Sequence, residues 1–471
     1  MKKISRRKFL GQAACAGMGS ATFLSSFNSL SLINKLIGTS LTPPNDYKAL
    51  VCILLAGGND SYNMLVPRGS AEYNEYAATR ADLALPLSGL LPINPNTNTG
   101  KDFGVHPSMP GVQQLFEMGK LAFLANAGTL VEPIPNATSY FSNTVQKPLG
   151  LYSHSDQIQQ WQTSIPQSRE AIGWAGRMAD ILQSQNTNQN ISMNISLAGR
   201  NVFQAGNTVM EYSISNQGDG VQGIVPAVPT WYSNSGYLNR LRNDAIKDLS
   251  TEVYANVFQQ TLGSLTSQTL DTFEAFKNAV STVQLNTPFS SHYLSQNMRM
   301  VTRVIAAREA LGMQRQTFFM TFGGWDHHNE VLDNQLYMLG VLSTAISELF
   351  SGLQEIGMQD NVTLFTISDF ARTLTSNGNG SDHAWGGHAI IAGGAVNGKE
   401  IYGSYPDLYL SNNPLVVSPR GNLIPTTSTD EYFAELALWF GVSPNDLQLI
   451  LPNIGQFYDV NSGVNPLGFL P

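Results

Sequence analysis

The chain has 471 residues, of which 42% are hydrophobic and only 13% charged, a balance typical of a globular protein with a large core. This length exceeds the usual size of one domain, although a single large α/β domain with insertions is compatible with it. The net charge is −8, and removing the five basic residues at positions 2, 3, 6, 7 and 8 leaves −13. Such an acidic chain excludes nucleic-acid binding, which needs clustered Lys and Arg to neutralise phosphates. The two cysteines, Cys15 near the N-terminus and Cys52 in a predicted strand, exclude a disulfide framework and a thiolate metal site.

The N-terminus carries a targeting pattern. The sequence SRRKFL at residues 5–10, followed by a mildly apolar run at 11–27, fits a twin-arginine export signal. We therefore predict export to the periplasm or the medium through the twin-arginine translocon. Residues 1–40 are assigned to the signal and a linker, with the cleavage site left open. Membrane association is expected only if this leader is retained.

Apolar periodicity divides the next part of the chain into strands and helices. Buried strands are read from continuous apolar runs, and helices from a period of 3.6 residues. A Pro-containing linker at 41–46 comes first. After it the pattern predicts strands at 47–56 and 121–127, helices at 71–84, 109–118, 152–163 and 173–183, and irregular stretches at 85–104 and 128–151.

The second half of the chain begins with a change of texture. Short alternating segments lie among Asn, Gln and Gly at 184–234, which predicts an insertion or cap at about 184–290 within a single domain spanning 41–471. Alternating strands and helices favour an α/β fold. The remaining predicted elements are helices at 237–283, 295–311, 333–355 and 429–440, and strands at 316–322 and 362–367.

Three of the predicted strands are each followed within a few residues by an aspartate, namely Asp60, Asp326 and Asp369. In α/β proteins, metal and catalytic sites are built where strands end and loops begin. We therefore expect these three strand ends to meet at one edge of the sheet.

Four of the seven histidines lie in two short loops after these strands. Imidazole nitrogen and carboxylate oxygen suit Zn²⁺ and similar divalent ions. A turn after the strand would place Asp326 and His328 on one side and His327 on the other. The alternative is a polar turn that hydrogen-bonds its own backbone. The candidate ligands are Asp326, His328, His383 and His388, with Asp382 beside them.

Asp60 and Asp369 are also candidate metal ligands. Carboxylates held close together repel unless a cation or a proton lies between them. The alternative is that each caps a helix, next to Ser61 and Ser368 respectively. Arg372 could bind an anionic oxygen of a substrate through its planar guanidinium, or it could pair with Asp369.

Ser153 and Ser155 lie at the start of a predicted helix. Backbone N–H groups and the helix dipole favour an anion there, and a serine beside a metal ion can act as a nucleophile. Helix capping is the more common role of a serine in this position, so both interpretations stay open.

Several motifs together resemble the bacterial family known as domain of unknown function 1501. They occur in the family's order over nearly the whole exported chain, together with its twin-arginine leader. The matching segments are GGNDSYNMLVP (57–67), HPSMPGVQQLFEMGKLAFLANAG (106–128), YSHSDQIQQWQTS (152–164), GWAGRMAD (173–180), GGWDHHNE (323–330), SDFARTLTSNGNGSDHAWGGH (368–388) and LPNIGQF (451–457).

That family is in turn similar, more distantly, to the alkaline phosphatase and sulfatase superfamily. The resemblance implies an alkaline-phosphatase-like, three-layer α/β/α sandwich with a cap or insertion and two metal ions at the carboxyl ends of the strands. By position, Ser153 falls near the superfamily's nucleophile, with Ser155 as the alternative. The implied ligands are Asp326, His328 and His383 for one ion, and Asp60 and Asp369 for the other.

The chain departs from the superfamily pattern in two places. Asp369 is followed by Phe370 where the phosphatases have Asp-His, so the second ion site lacks an imidazole. The family's Asp-Thr-His is Asp326-His327-His328 here, which keeps both expected ligands. The nucleophile motif does not match that of a phosphatase or a sulfatase.

We therefore expect an exported hydrolase of phosphate or sulfate esters that acts on a small-molecule or glycan ester. It would use one or two divalent ions, Zn or Ca, Mg or Mn. The competing hypothesis is a non-catalytic, metal-stabilised protein that binds cell-surface polysaccharide. It is favoured by the missing second-site histidine, the Asn-, Ser- and Gln-rich cap and the tryptophans.

Overall fold

A mostly parallel sheet forms the centre of the chain. The structure is a computed structural model that describes residues 46–97, 100–142, 144–220, 234–253 and 256–471. The predicted leader and part of the predicted insertion, 221–233, lie outside these residues. The strands are β1 Lys48–Ala56, β2 Leu65–Pro67, β3 Leu91–Ile93, β4 Phe103–Val105, β5 Leu121–Gly128, β6 Asn194–Ser196, β7 Tyr212–Ser213, β8 Arg315–Gly323, β9 Val362–Ser368, β10 Gly387–Gly393, β11 Ile401–Gly403 and β12 Thr427–Ser428.

The main sheet has the order β11-β5-β10-β9-β1-β8-β6-β7, with β12 paired to β5. Within the described residues β10 alone runs antiparallel to its neighbours. A small antiparallel sheet, β2-β4-β3, lies apart from it. All the described residues belong to one compact unit.

Helices cover both faces of the main sheet. They are α1 Ser70–Arg80, α2 Pro110–Glu117, α3 Ala137–Phe141, α4 His154–Thr163, α5 Trp174–Leu182, α6 Ser235–Thr251, α7 Val257–Ser281, α8 Tyr293–Ala306, α9 Val331–Glu355, α10 Thr429–Phe440 and α11 Leu447–Ile450. Residues of α2, α8 and α9 form the core on one face, and residues of α4, α5, α10 and α11 form the core on the other.

β1 shows why its sequence is apolar at every position after Lys48. Successive side chains of a strand point to opposite faces of the sheet, so a strand covered on both sides has no solvent-facing positions. Val51 and Ile53 pack into one core, whereas Leu50, Cys52 and Leu54 pack into the other. The predicted α/β fold, a mostly parallel sheet flanked by helices, is confirmed.

The structure adds detail to the sequence expectations in two regions. Within 184–234, β6 pairs with β8 and β7 with β6, so both strands extend the main sheet. The stretch 237–283, predicted to be mostly helical, consists of the two helices α6 and α7. Asn256 begins the second of these helices, because its side chain accepts the otherwise unpaired N–H groups of Phe258 and Gln259.

α9 is the one described helix long and apolar enough to span a membrane, judged by length and composition alone, with a mean hydropathy of 1.4. Its apolar side belongs to the core, where Leu339, Leu342 and Ile346 are fully buried. The helix therefore has the composition that packing against the sheet requires.

Candidate metal centre

The loops that follow β1, β8 and β9 meet at one edge of the sheet, as the sequence predicts. β1 is in parallel register with both neighbours, so their carboxyl ends are level. Gly57 brings two of these loops into contact. Its φ is +119°, and a Cβ atom there would lie 2.5 Å from the backbone nitrogen of Asp326, so the position requires glycine. The Gly57 N–H also contacts both carboxylate oxygens of Asp369 at 3.1 Å.

Three histidines and one aspartate converge at this edge. The Oδ1 atom of Asp326 lies 3.0 Å from His328 Nε2, 3.3 Å from His383 Nε2 and 3.5 Å from His154 Nε2. The Nε2 atoms of His328 and His383 are themselves 3.0 Å apart. The structure thus brings three of the predicted ligands together and adds His154 to them.

An acceptor holds the other nitrogen, Nδ1, of each imidazole. A carbonyl or carboxylate oxygen can only accept a hydrogen bond, so each Nδ1 carries the proton and donates. In a neutral ring, Nε2 then presents its lone pair towards Asp326. The Nδ1 contacts are His154 to Asp369 Oδ2 at 2.6 Å, His383 to the Tyr152 carbonyl at 2.9 Å and His328 to Asp382 Oδ1 at 3.1 Å.

This arrangement fits a divalent metal ion. Lone pairs that face one another repel unless a cation or a proton lies between them. Histidines that ligate metals typically donate Nδ1–H to a carboxylate or a backbone carbonyl, which fixes the ring and directs Nε2 at the ion. Three imidazole nitrogens and a carboxylate oxygen suit Zn²⁺ and similar ions.

The electrostatics favour the protonation states that metal binding needs. Partial burial raises the pKa of Asp326, but the hydrogen bond and charge of Arg372 outweigh it, so the net shift is downwards and the carboxylate stays charged. Burial lowers the pKa of His383, which favours its neutral, metal-binding form.

The cluster is open to solvent on one side. The exposed fraction of the side chain is 47% for Asp326, 40% for His328, 32% for His154 and 25% for His383. A structural zinc site is usually closed by four protein ligands, whereas a catalytic one keeps a position for water or substrate. This cluster is open to solvent, as a site that keeps a position for water or substrate is.

Arg372 connects the loops behind the cluster. It donates to the carbonyls of Gly57 at 2.5 Å, Gly58 at 2.9 Å and Ser381 at 3.0 Å, and to the Asp326 carboxylate. Its side chain is fully buried. The buried position of Arg372 favours a structural ion pair over substrate binding. The partner is Asp326, whereas the sequence suggested Asp369.

Asp60 lies outside the cluster. Its Oδ2 atom is 2.6 Å from Arg80 Nη2, with both side chains fully buried, and it accepts a hydrogen bond from Ser381 Oγ at 2.8 Å. Arg80 therefore supplies the positive charge that sequence reasoning assigned to a metal ion. Among the described residues, the group of metal-ligating type that the structure brings together is the one around Asp326.

His388 also lies away from the cluster. Its ring stacks on Tyr405 with centroids 4.8 Å apart, and its Nδ1 accepts the N–H of Asn126 at 3.2 Å. Complete burial lowers its pKa to about 3. The ring is therefore a neutral part of the core, and the ion site proposed below includes neither His388 nor Asp60.

Ser153 and Ser155 flank His154 at the start of α4. Ser153 is the N-cap residue, yet its side chain makes no capping hydrogen bond, and its Oγ lies 3.1 Å from Ser155 Oγ. The preceding residue, Tyr152, has φ +72°, a left-handed conformation that bulky residues rarely adopt. This strained residue is the one whose carbonyl orients His383, as is common at functional sites.

Comparisons with solved structures give distant similarities. The crystal structure of Ps i-CgsB in complex with k-i-k-neocarrahexaose is 9% identical, with a TM-score of 0.32 over 88% of this chain and 78% of that chain. Ps i-CgsB alone gives 9% and 0.34 over the same shares. BT1596, a 2-O GAG sulfatase, gives 9% and 0.26 over 76% and 66%. These scores are too low to establish a shared fold.

A match to a family model identifies the family to which the chain belongs. No curated protein matches the chain. The family model described as "Protein of unknown function (DUF1501)" matches residues 47–420. This range covers most of the chain and includes every residue of the cluster around Asp326. The chain therefore belongs to the DUF1501 family.

Proposed function

We propose that this protein is a metal-dependent hydrolase of phosphate or sulfate esters. The observation that supports it is the convergence of three imidazole Nε2 atoms and one carboxylate oxygen on the open side of the sheet edge. His154, Asp326 and His383 would hold one divalent ion, with His328 as a further donor. An ion bound there supplies Lewis-acid polarisation of an ester oxygen and activation of a nucleophile.

The surrounding residues have supporting roles. Asp369 and Asp382 hold His154 and His328 in the orientation that directs Nε2 at the ion. The N-terminal end of α4 favours the anionic ester group through its unpaired N–H groups. The hydroxyls of Ser153 and Ser155 lie at this end, and either is a candidate nucleophile.

Turnover of simple esters tests the proposal. The protein is purified without chelator, loaded with Zn²⁺, Mn²⁺ or Ca²⁺, and assayed on aryl and sugar phosphates and sulfates. Hydrolysis should require metal and disappear in His154→Ala. Ser153→Ala or Ser155→Ala should abolish turnover while the metal stays bound if that serine is the nucleophile. If both variants stay active, a water molecule is the nucleophile.

A negative result has a defined meaning. If the metal-loaded protein hydrolyses neither ester class, the hydrolase proposal is wrong and the metal-stabilised binding protein becomes the better account.

We further propose that the protein acts outside the cytoplasm after twin-arginine export, on the strength of its N-terminal motif. Replacing Arg6 and Arg7 together with Lys should leave the protein in the cytoplasmic fraction, whereas the native chain should appear in the periplasm or the medium. If the variant and the native chain are divided in the same way between the cytoplasmic and exported fractions, the export proposal is wrong.

A further inference from the structure

A large cleft lies at the carboxyl ends of β6, β7 and β8. It has a volume of about 710 Å³ and is lined by loop residues that follow β6 and β7 and by the start of α8. Its size is in the range of sites that bind small molecules. The polar and aromatic residues of the lining are Ser213, Ser215, Asn216, Tyr293, Asn297 and Thr321.

The cleft lies on the same edge of the sheet as the metal centre. β8, β6 and β7 are adjacent and parallel, so their carboxyl ends lie on the edge that carries Asp326. Thr321 of β8 lines the cleft, and this strand ends at Gly323, three residues before Asp326. The Tyr293 ring also packs edge-on against Phe322 of β8, with ring centroids 6.1 Å apart. A ligand that extends from the metal centre past the end of β8 would therefore run towards the cleft.

The chemistry of the lining fits an uncharged, hydroxyl-rich ligand. No Asp, Glu, Lys or Arg is among the described residues that line the cleft. Serine, threonine and asparagine side chains provide both donors and acceptors there. Asn216 is fixed in place, because its Nδ2 donates to Asn297 Oδ1 at 2.8 Å and to the Tyr293 carbonyl at 3.3 Å.

One exposed tyrosine, Tyr293, lines the cleft, and a second, Tyr337, lies on the far side of the His292 ring. Tyr293 is 44% exposed and Tyr337 is 63% exposed. The ring of His292 contacts both, with centroids 4.5 Å from Tyr293 and 6.4 Å from Tyr337. The electron-rich face of a tyrosine attracts the slightly positive C–H groups on the face of a sugar ring, and its hydroxyl reaches solvent. Aromatic faces next to amide and hydroxyl groups are the combination that sugars require.

We propose that this cleft binds the uncharged sugar residues of a glycan whose ester group enters the metal centre. The substrate is then an esterified oligosaccharide or polysaccharide, and hydrolysis converts the ester into a free hydroxyl and an inorganic anion. The catalytic half of this inference rests on the proposed hydrolase function, whereas sugar binding in the cleft does not.

Calorimetric titration with neutral hexasaccharides tests the inference. The probes are cellohexaose, maltohexaose, xylohexaose, laminarihexaose and chitohexaose at millimolar concentration, added to the full chain and to Asp326→Ala. At least one should bind both proteins with the same affinity. Tyr337→Ala and Asn216→Ala should each weaken that binding roughly tenfold, which corresponds to the loss of about 1.4 kcal/mol. The control is Tyr409→Ala, an exposed tyrosine in the loop after β11 at the opposite end of the sheet.

The outcomes separate the two proposals. If the metal-loaded native protein hydrolyses no ester but binds a hexasaccharide, and Asp326→Ala binds it equally well, the sugar-binding cleft is supported and the hydrolase is refuted. Ester hydrolysis without binding of any hexasaccharide refutes the cleft alone, as does sugar binding that neither Tyr337→Ala nor Asn216→Ala changes. Tyr337 is largely exposed, so its replacement tests the contact without disturbing the core.

Discussion

The Nε2 atoms of His328 and His383 face each other at 3.0 Å, although the Nδ1 atom of each ring already donates to an oxygen, that of Asp382 or of the Tyr152 carbonyl. Two lone pairs at this distance repel unless a positive charge lies between them. A shared proton would satisfy this pair alone, whereas a metal ion satisfies His154 and Asp326 as well. The contact is therefore the strongest indication of a cation at the sheet edge.

Asp369 orients His154, and its replacement should weaken metal binding without unfolding the protein. Asp369→Asn preserves the shape of the side chain but removes the charged acceptor 2.6 Å from His154 Nδ1. Loss of such a partner typically lowers metal affinity roughly 10–100-fold. Competition with a chromogenic chelator measures the affinity. Asp360→Asn, at a carboxylate that is 77% exposed, is the control, and equal affinities in both variants would refute the orienting role.

The buried pair of Asp60 and Arg80 should matter for stability and not for metal content. Arg80→Met leaves the Asp60 charge buried without its partner, which should lower the free energy of unfolding by about 3–5 kcal/mol. Adding Asp60→Asn removes that charge and should recover much of the loss. Urea unfolding measures the free energy of unfolding of Arg80→Met and of the double variant. Metal analysis of Asp60→Asn tests the alternative directly, because loss of an ion would identify Asp60 as a ligand.

A comparison of alanine substitutions at two glycines with positive φ distinguishes the cost of backbone strain from the cost of a close contact. Gly57→Ala would place a methyl group 2.5 Å from the Asp326 nitrogen, whereas a methyl group on Gly119, with φ +68°, would have no atom within 4 Å. Gly119→Ala should therefore incur only the left-handed backbone penalty, about 1–2 kcal/mol. Gly57→Ala should be more destabilising and should reduce metal affinity, because the Asp326 loop must move. Thermal unfolding and metal titration measure these effects. If both variants lower the stability and the metal affinity by similar amounts, the close contact at Gly57 is not important.

Asp430 makes stability depend on pH. It is completely buried and accepts a hydrogen bond from Ser164 Oγ at 3.0 Å. Burial raises its pKa from 3.8 to about 7, above the unfolded value. Its contribution to stability is thus full below pH 3.8 and is lost as the pH rises towards 7. Asp430→Asn cannot ionise, so its stability relative to the native chain should increase over this window by about 1 kcal/mol per pH unit.

Urea unfolding at pH 5 and pH 8 measures this difference. Asp333→Asn, at an exposed position of α9, controls for the change in net charge. A constant difference between Asp430→Asn and the native chain at both pH values would show that Asp430 is ionised in the folded state.

The sequence predicts the part of the site that depends on local pattern. Apolar runs identify β1, β8 and β9, and the residues just after them include Asp326 and His328, which do converge. His383 is found for the same reason, because the loop that carries it follows β9.

Long-range packing decides the rest of the site. Arg80 reaches Asp60 from α1, and one sequence does not show whether a metal ion or an arginine neutralises a buried carboxylate. His154 lies at the start of α4, and only the docking of that helix brings it to Asp326. His388 follows His383 closely in sequence, but it is already part of β10, where the strand turns its ring into the core.

Elemental analysis tests the central claim most directly. The native chain is exported, purified without chelator and compared with Asp326→Ala, His383→Ala and Asp60→Asn. We predict about one divalent ion per chain in the native protein and in Asp60→Asn, and little or none in the other two variants. Absence of metal from the native protein, or equal metal in Asp326→Ala and the native protein, would contradict the account.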